Sequence, residues 1–177
     1  WIVEANELQA ESSNTAYKNF YIQGIKITLL LSFLSLIFGF LLGMILTKMR
    51  LSDYKLVSFI SKAFVELIRG TPMMVQILIV YYGSDLLGLK LSAFLASLMA
   101  VAINSGAYVS EIIRSGIEAV DRGQMEAGRS LGLSKKQTMN KIIMPQAIRN
   151  ILPALGNEFV TLIKETSIAS TIGVSEL

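Results

Sequence analysis

An all-α membrane protein is the fold class this sequence predicts, on three observations. Hydrophobic residues make up 53% of its 177 residues and charged ones only 16%, against about 25% charged in a soluble domain. Several apolar runs reach the roughly 20 residues a helix needs to cross a bilayer. One long polar segment, Glu118–Pro145, interrupts them. The length suits a single membrane domain of four or five spans. Composition also narrows the functional classes. A net charge of +3 gives no case for nucleic acid as a partner. Without Cys there are no disulfides or thiolate metal sites, and without His the commonest catalytic base and metal ligand is missing. A hydrolase or metalloenzyme would have to work from carboxylates, so no catalytic and no metal residues are assigned.

The sequence begins at Trp1 rather than Met, so further residues are expected upstream. The first residues lack the basic and apolar blocks of a signal peptide. Residues 1–19 are polar and lean acidic, with Glu4, Glu7 and Glu11 against Lys18. They read as an extracytoplasmic tail, or as a linker from a fused upstream domain. Residues 20–177 read as one transmembrane domain.

The first span is expected over Tyr21–Thr47. Lys48, Arg50 and Lys55 against Asp53 make its far flank basic, which puts that flank in the cytoplasm and the N-terminus outside. Gly39 and Gly43, four apart, permit close helix approach, most simply within the bundle. From Lys55 to about Gly83 the chain returns outward. About 28 residues at 1.5 Å each give roughly 42 Å, against a hydrocarbon core of about 30 Å. A break is therefore expected at Arg69-Gly70-Thr71-Pro72, where Gly frees the backbone and Pro removes a donor. Broken backbone at membrane depth belongs in protein or beside a water-filled cavity. Lys62, Glu66 and Arg69 share one helical face, so Glu66 can pair with both cations.

A third span is expected over Leu91–Ile113, with Asn104 and Ser105 near its middle and Glu111 paired to Arg114 at the inner surface. The polar stretch follows, holding five cations against three anions between Gly116 and Gln146, again a cytoplasmic balance. It predicts two short helices, about Gln124–Leu131 and Ser134–Met144. Gly132 is expected to end the first with positive φ, and Ser134 to cap the second. A fourth span should begin near Ala147 and reach about Thr166, kinked by Pro153 and Gly156. Glu158 lies about 13.5 Å beyond Arg149 along it, near the midplane, where a charge costs roughly 2.5–3.5 kcal/mol. It should face a cavity or a partner. An internal pair with Arg69 or Lys164 is the structural alternative.

With these residues in place, the sequence resembles the membrane-spanning subunits of type I ABC importers, in the polar amino-acid uptake group. The carrying pattern is the EAA loop: Glu-Ala-Ala, three residues, Gly, nine residues, Ile, one residue, Leu-Pro. Here Glu126-Ala127-Gly128 is followed by Gly132, Ile142 and Met144-Pro145 at that spacing. Gly128 stands for Ala and Met144 for Leu. Three strings look like the amino-acid group: Phe64–Pro72, Ala107–Arg114, and Leu155–Glu158 running to Lys164–Ser167. The resemblance implies a fifth helix after Leu177, where this chain stops.

It further implies a role for each candidate residue. Glu126, Ala127, Gly128, Gly132, Leu133, Ile142 and Pro145 would form a loop, within about 116–146, docked on a separate ATPase subunit. That dimeric partner would bind ATP and Mg, because this sequence has no G-x-x-x-x-G-K-[ST] loop and so carries no cofactor itself. A second permease chain, identical or homologous, would complete the pore in a bacterial cytoplasmic membrane. An extracytoplasmic binding protein or fused domain would deliver the amino acid. Glu158 would meet the cargo's cationic group. Thr71 and the opened backbone at Gly70 would hold its carboxylate, with charge from Arg69 and hydrogen bonds from Asn104 and Ser105. The rival reading is an ion-coupled secondary transporter or channel, which explains a midplane carboxylate but not the loop spacing.

Overall fold

The computed structural model describes the backbone of residues 2–174 and the side chains of residues 18, 19 and 21–174. The helices in chain order are α1 (Ile2–Arg50), α2 (Lys55–Arg69), α3 (Met73–Leu86), α4 (Ala93–Glu118), α5 (Arg122–Ser130), α6 (Lys135–Thr138) and α7 (Met144–Glu165). A π-helical turn (Met139–Ile143) joins α6 to α7, and a 3-10 turn (Thr166–Ile172) follows α7. The backbone of residues 2–19 is helical and continuous with the rest of α1, which contains no proline to break it.

Two helical stretches are long and apolar enough to cross a membrane, Tyr21–Arg50 and Ala93–Glu118. α2 and α3 together satisfy the same test but meet at a bend of 103°. The expected kinked span is thus two short helices nearly at right angles. The break falls where the sequence placed it, and its sharpness comes from losing the Pro72 donor just as α2 ends. The 22 residues of α7 extend about 33 Å, long enough to span, but Arg149, Glu158, Lys164 and Glu165 make it polar. It starts three residues before the expected Ala147 and runs through Pro153 without a break.

α1 and α4 form the centre of the bundle. Their close crossing explains the spaced glycines. A Cβ on Gly39 would lie 2.7 Å from Ser105 Oγ, and one on Gly43 would lie 2.6 Å from Val109 Cγ1 and 3.0 Å from the Gly106 carbonyl. Thr47 adds a polar tie, its hydroxyl 2.8 Å from the Gly43 carbonyl and 3.2 Å from Ser110 Oγ. α2 lies across this pair. Ser61 Oγ donates to the Leu46 carbonyl and Ser58 Oγ to that of Arg50, both at 2.8 Å, while Val65 packs with Leu46 and Ala107. The main apolar core joins Leu31, Ile77, Ala96, Val101 and Leu162 to Ala169, Ile172 and Val174. The last described residues therefore pack into the bundle, although their sequence is small and polar.

Candidate translocation site and coupling hairpin

The bend between α2 and α3 is held by one side chain that sequence reasoning did not single out. Gln76 Nε2 lies 2.7 Å from the Ile68 carbonyl, 3.0 Å from that of Thr71 and 2.9 Å from Thr71 Oγ1. Asn104 Nδ2, from α4, donates to Gln76 Oε1 at 3.2 Å. Gln76 and Asn104 are both buried, at 8% and 4% exposure. The Thr71 hydroxyl also donates back to the Leu67 or Ile68 carbonyl at 3.1 Å. Gly70 has right-handed helical backbone, φ −84°, so it is not needed here for positive φ. Pro72 caps α3 with no side-chain acceptor, which leaves the first amides of α3 as donors facing outward from the helix end.

Beyond this bend, charge is arranged unequally. Glu111 sits among three arginines. Its Oε2 lies 2.7 Å from Arg50 Nη1 and 3.6 Å from Arg69 Nη1, and its Oε1 pairs with Arg114, which also pairs with Glu118. Arg69 stacks over the Tyr108 ring at 5.1 Å as well, a geometry favourable to a guanidinium. The expected Arg69–Glu66 pair does not form: Glu66 meets Lys62 instead, at 3.9 Å on the exposed face. Arg69 lies at the end of α2, and its side chain turns toward α4, where Glu111 is the less solvated anion.

Glu158 on α7 has no such arrangement. It is buried to 9% exposure, and among the described residues no hydrogen bond or ion pair reaches its carboxylate. Glu165 and Arg69 are the charged groups that act on it across space. The internal pair with Arg69 or Lys164 is thus absent, because Arg69 is committed to Glu111. Ser105 is fully buried at the α1–α4 crossing, and its hydroxyl has no hydrogen-bond partner. The structure brings Thr71 and Asn104 together on Gln76, turns Arg69 to Glu111 and Tyr108, and places Ser105 on the α1 side of α4.

The Glu111 cluster carries a stability prediction. Removing the anion of a largely buried ion pair costs about 3–5 kcal/mol, and the Glu111 side chain keeps 21% exposure, so the lower figure applies. Glu111→Ala should lower stability by about 3 kcal/mol in thermal unfolding of the detergent-solubilised protein. Lys62→Ala, which removes an exposed pair, should change it by less than about 1 kcal/mol. Equal shifts for the two variants would show that the cluster does not hold α1, α2 and α4 together.

On the expected cytoplasmic side, the polar stretch folds into a helical hairpin. α5 starts two residues earlier than predicted because Asp121 caps it, its side chain accepting from Gly123 N at 2.6 Å. Gly132 adopts φ +82°, the left-handed turn expected of it, and Leu133 N returns to the Gly128 carbonyl at 3.1 Å. Ser134 and Gln137 form a reciprocal capping box. Gly128 meets α6 closely: a Cβ there would lie 2.4 Å from Thr138 Cγ2 and 2.8 Å from its Oγ1.

The second helix differs from expectation in one respect. It does not stop at Pro145 but passes through the π turn into α7, with Pro145 in the first turn of α7. Proline lacks the N–H a regular helix would use there, and a wider turn accommodates the loss. Ile143 is buried with Val120, Ala147 and Ile151, and Met139 packs alongside. Ile142 is only half-buried, while Glu126, Ala127 and Leu131 are exposed at the hairpin's surface. A cleft of about 490 Å³ opens beside α5, lined in part by Glu118, Arg122, Glu126 and Ile143.

A helical membrane protein with a broken second span and a polar helical hairpin ahead of its last long helix is the class these features define. The family of binding-protein-dependent transport system inner membrane components matches residues 35–177. The chain belongs to that family and has the type I ABC importer transmembrane fold. It is 42% identical over 159 residues to a putative glutamine transport system permease protein of Rickettsia conorii, covering 89% of this chain and 73% of the relative. It is 41% identical, with the same coverage, to the arginine transport system permease protein of Bacillus subtilis. Among solved structures, an amino acid ABC transporter crystallised with histidines superposes with a TM-score of 0.90 at 47% identity, over 93% of this chain and 77% of that one.

Proposed function

We propose that this chain is the translocation-pathway subunit of an ATP-driven importer for polar amino acids in a bacterial cytoplasmic membrane. It spans that membrane several times with its N-terminus outside and pairs with a second permease chain. Its hairpin docks on an ATPase subunit, and an extracytoplasmic binding protein or domain delivers the cargo. Closure of the ATPase dimer moves the hairpins, and through the continuous path from α6 into α7 the motion reaches Glu158. The exposed apolar surface of α1 and α2, including Phe33, Leu41, Leu56 and Phe59, leaves room for lipid and for the second chain.

The observation that carries the substrate reading is Glu158, a buried carboxylate left unpaired while the nearby arginine is held by Glu111. It would receive the α-ammonium or a basic side chain of the cargo, and a partly dehydrated charge pair is stronger than one in water. The cargo carboxylate would meet the turn at Gly70–Thr71, the first amides of α3 and the Arg69 charge. Names given to the relatives, for glutamine and arginine transport, support amino acids of this range. Ser105 fits helix packing better than substrate contact.

The test is to co-purify the chain with its ATPase and reconstitute the complex in vesicles without an ion gradient. ATP-dependent amino-acid uptake, with ATPase activity raised by the cargo and its binding protein, is the expected result. Uptake that needs an ion gradient and no ATP would favour the secondary-transporter reading.

A further inference from the structure

We infer that Gln76 is a positioning residue that fixes which atom Asn104 offers to the cargo, an inference that rests on the amino-acid importer reading above. In an unbroken helix the amide of residue 72 would donate to the carbonyl of residue 68. Pro72 has no N–H, and Gln76 Nε2 takes that place at 2.7 Å from the Ile68 oxygen. It also meets the Thr71 oxygen at 3.0 Å. The backbone bonds of α3 begin only with Gln76 N to the Pro72 carbonyl.

Carbonyl oxygens only accept, so two of them can face only the NH2 end of the Gln76 amide. Its Oε1 is therefore the atom turned to Asn104, and an acceptor there requires that Asn104 donate. The Asn104 amide is thereby oriented: Nδ2 is used by Gln76, and Oδ1, which has no hydrogen bond among the described residues, remains as an acceptor. An acceptor suits an ammonium or guanidinium group, as the Glu158 carboxylate does. With the amide reversed, Asn104 would present donors suited to a carboxylate. The broken backbone of the α2–α3 bend thus selects, through Gln76, the cationic end of the cargo at α4.

The experiment is a double-mutant cycle on uptake by the reconstituted complex, using histidine, glutamine and arginine as cargo. Two variants are used, Gln76→Met, which keeps the volume and removes the amide, and Gln76→Glu, which keeps an oxygen toward Asn104 and removes the amide donors. Co-purification with the ATPase is the folding control. Gln76→Met should raise the KM for uptake by about tenfold, the loss expected for one buried hydrogen-bonded position, whereas Gln76→Glu, which still turns an acceptor to Asn104, should raise it less; equal losses for the two would overturn the inference. Combined with Asn104→Ala, Gln76→Met should raise KM no further than Asn104→Ala alone. Multiplying effects would overturn the inference, because they would show Gln76 acting on the bend without Asn104. Failure of both variants to assemble would overturn it too, making Gln76 a folding determinant. Absence of ATP-dependent uptake by the unaltered complex would instead remove the importer reading itself.

Discussion

Glu158→Gln is expected to raise the KM for amino-acid uptake on the order of 100-fold while the permease still assembles with its ATPase. Gln has nearly the same size and shape, so α7 should pack as before. What it removes is the one buried anion in the described bundle that has no cation bound to it. Glu111 satisfies Arg50, Arg69 and Arg114, so losing the Glu158 charge strands no protein cation. An anion kept at a cost of roughly 2.5–3.5 kcal/mol in the membrane interior needs a compensating partner, and a cationic group on the cargo supplies it. The measurement is uptake in reconstituted vesicles across a range of cargo concentration. Unchanged kinetics would refute the assignment. A variant that no longer co-purifies with the ATPase would return Glu158 to a role in holding the bundle.

Much of this was legible because it depends on local chemistry. The break at Gly70–Pro72 follows from a proline within an over-long apolar run, and the hairpin from Gly132, Ser134 and the spacing around them. Gly39 and Gly43 announced a close helix crossing. The partners across the bundle were not legible. Arg69 has Glu66 three residues away in sequence, yet it pairs with Glu111 from another helix, because α2 packs against α4, where Glu111 is the less solvated anion. Gln76 looked like an ordinary polar residue at the start of an apolar helix. One signal was available: it lies four residues after a proline whose missing donor had to be replaced. Ser105 illustrates the converse. A hydroxyl at mid-depth reads as a substrate contact until Gly39 is seen pressed against it.

Gly128 should prove as important to coupling as Gly132, for a different physical reason. Gly132 supplies a left-handed turn with open space around its Cα, so Gly132→Asn should be tolerated, since Asn adopts that conformation more readily than other side chains. Gly128 has ordinary helical surroundings but no room. An alanine there would place its Cβ 2.4 Å from Thr138 Cγ2, and Thr138 is fully buried with its hydroxyl 3.1 Å from the Ser134 carbonyl. Overpacking of this kind costs about 1–3 kcal/mol, enough to splay α5 from α6 in a hairpin of two short helices. Gly128→Ala is therefore expected to cut ATP-driven uptake severalfold while ATP hydrolysis continues, because the proposed docking surface at Glu126 and Ala127 no longer moves with α7. Adding Thr138→Ala removes both obstructing atoms and leaves the nearest at 3.1 Å, so the double variant should recover most of the lost uptake. The ratio of amino acid transported to ATP hydrolysed, measured for the single and double variants, reads this directly. A single variant with an unaltered ratio, or a double variant no better than the single, would show that the packing of Gly128 on Thr138 does not transmit the motor's motion.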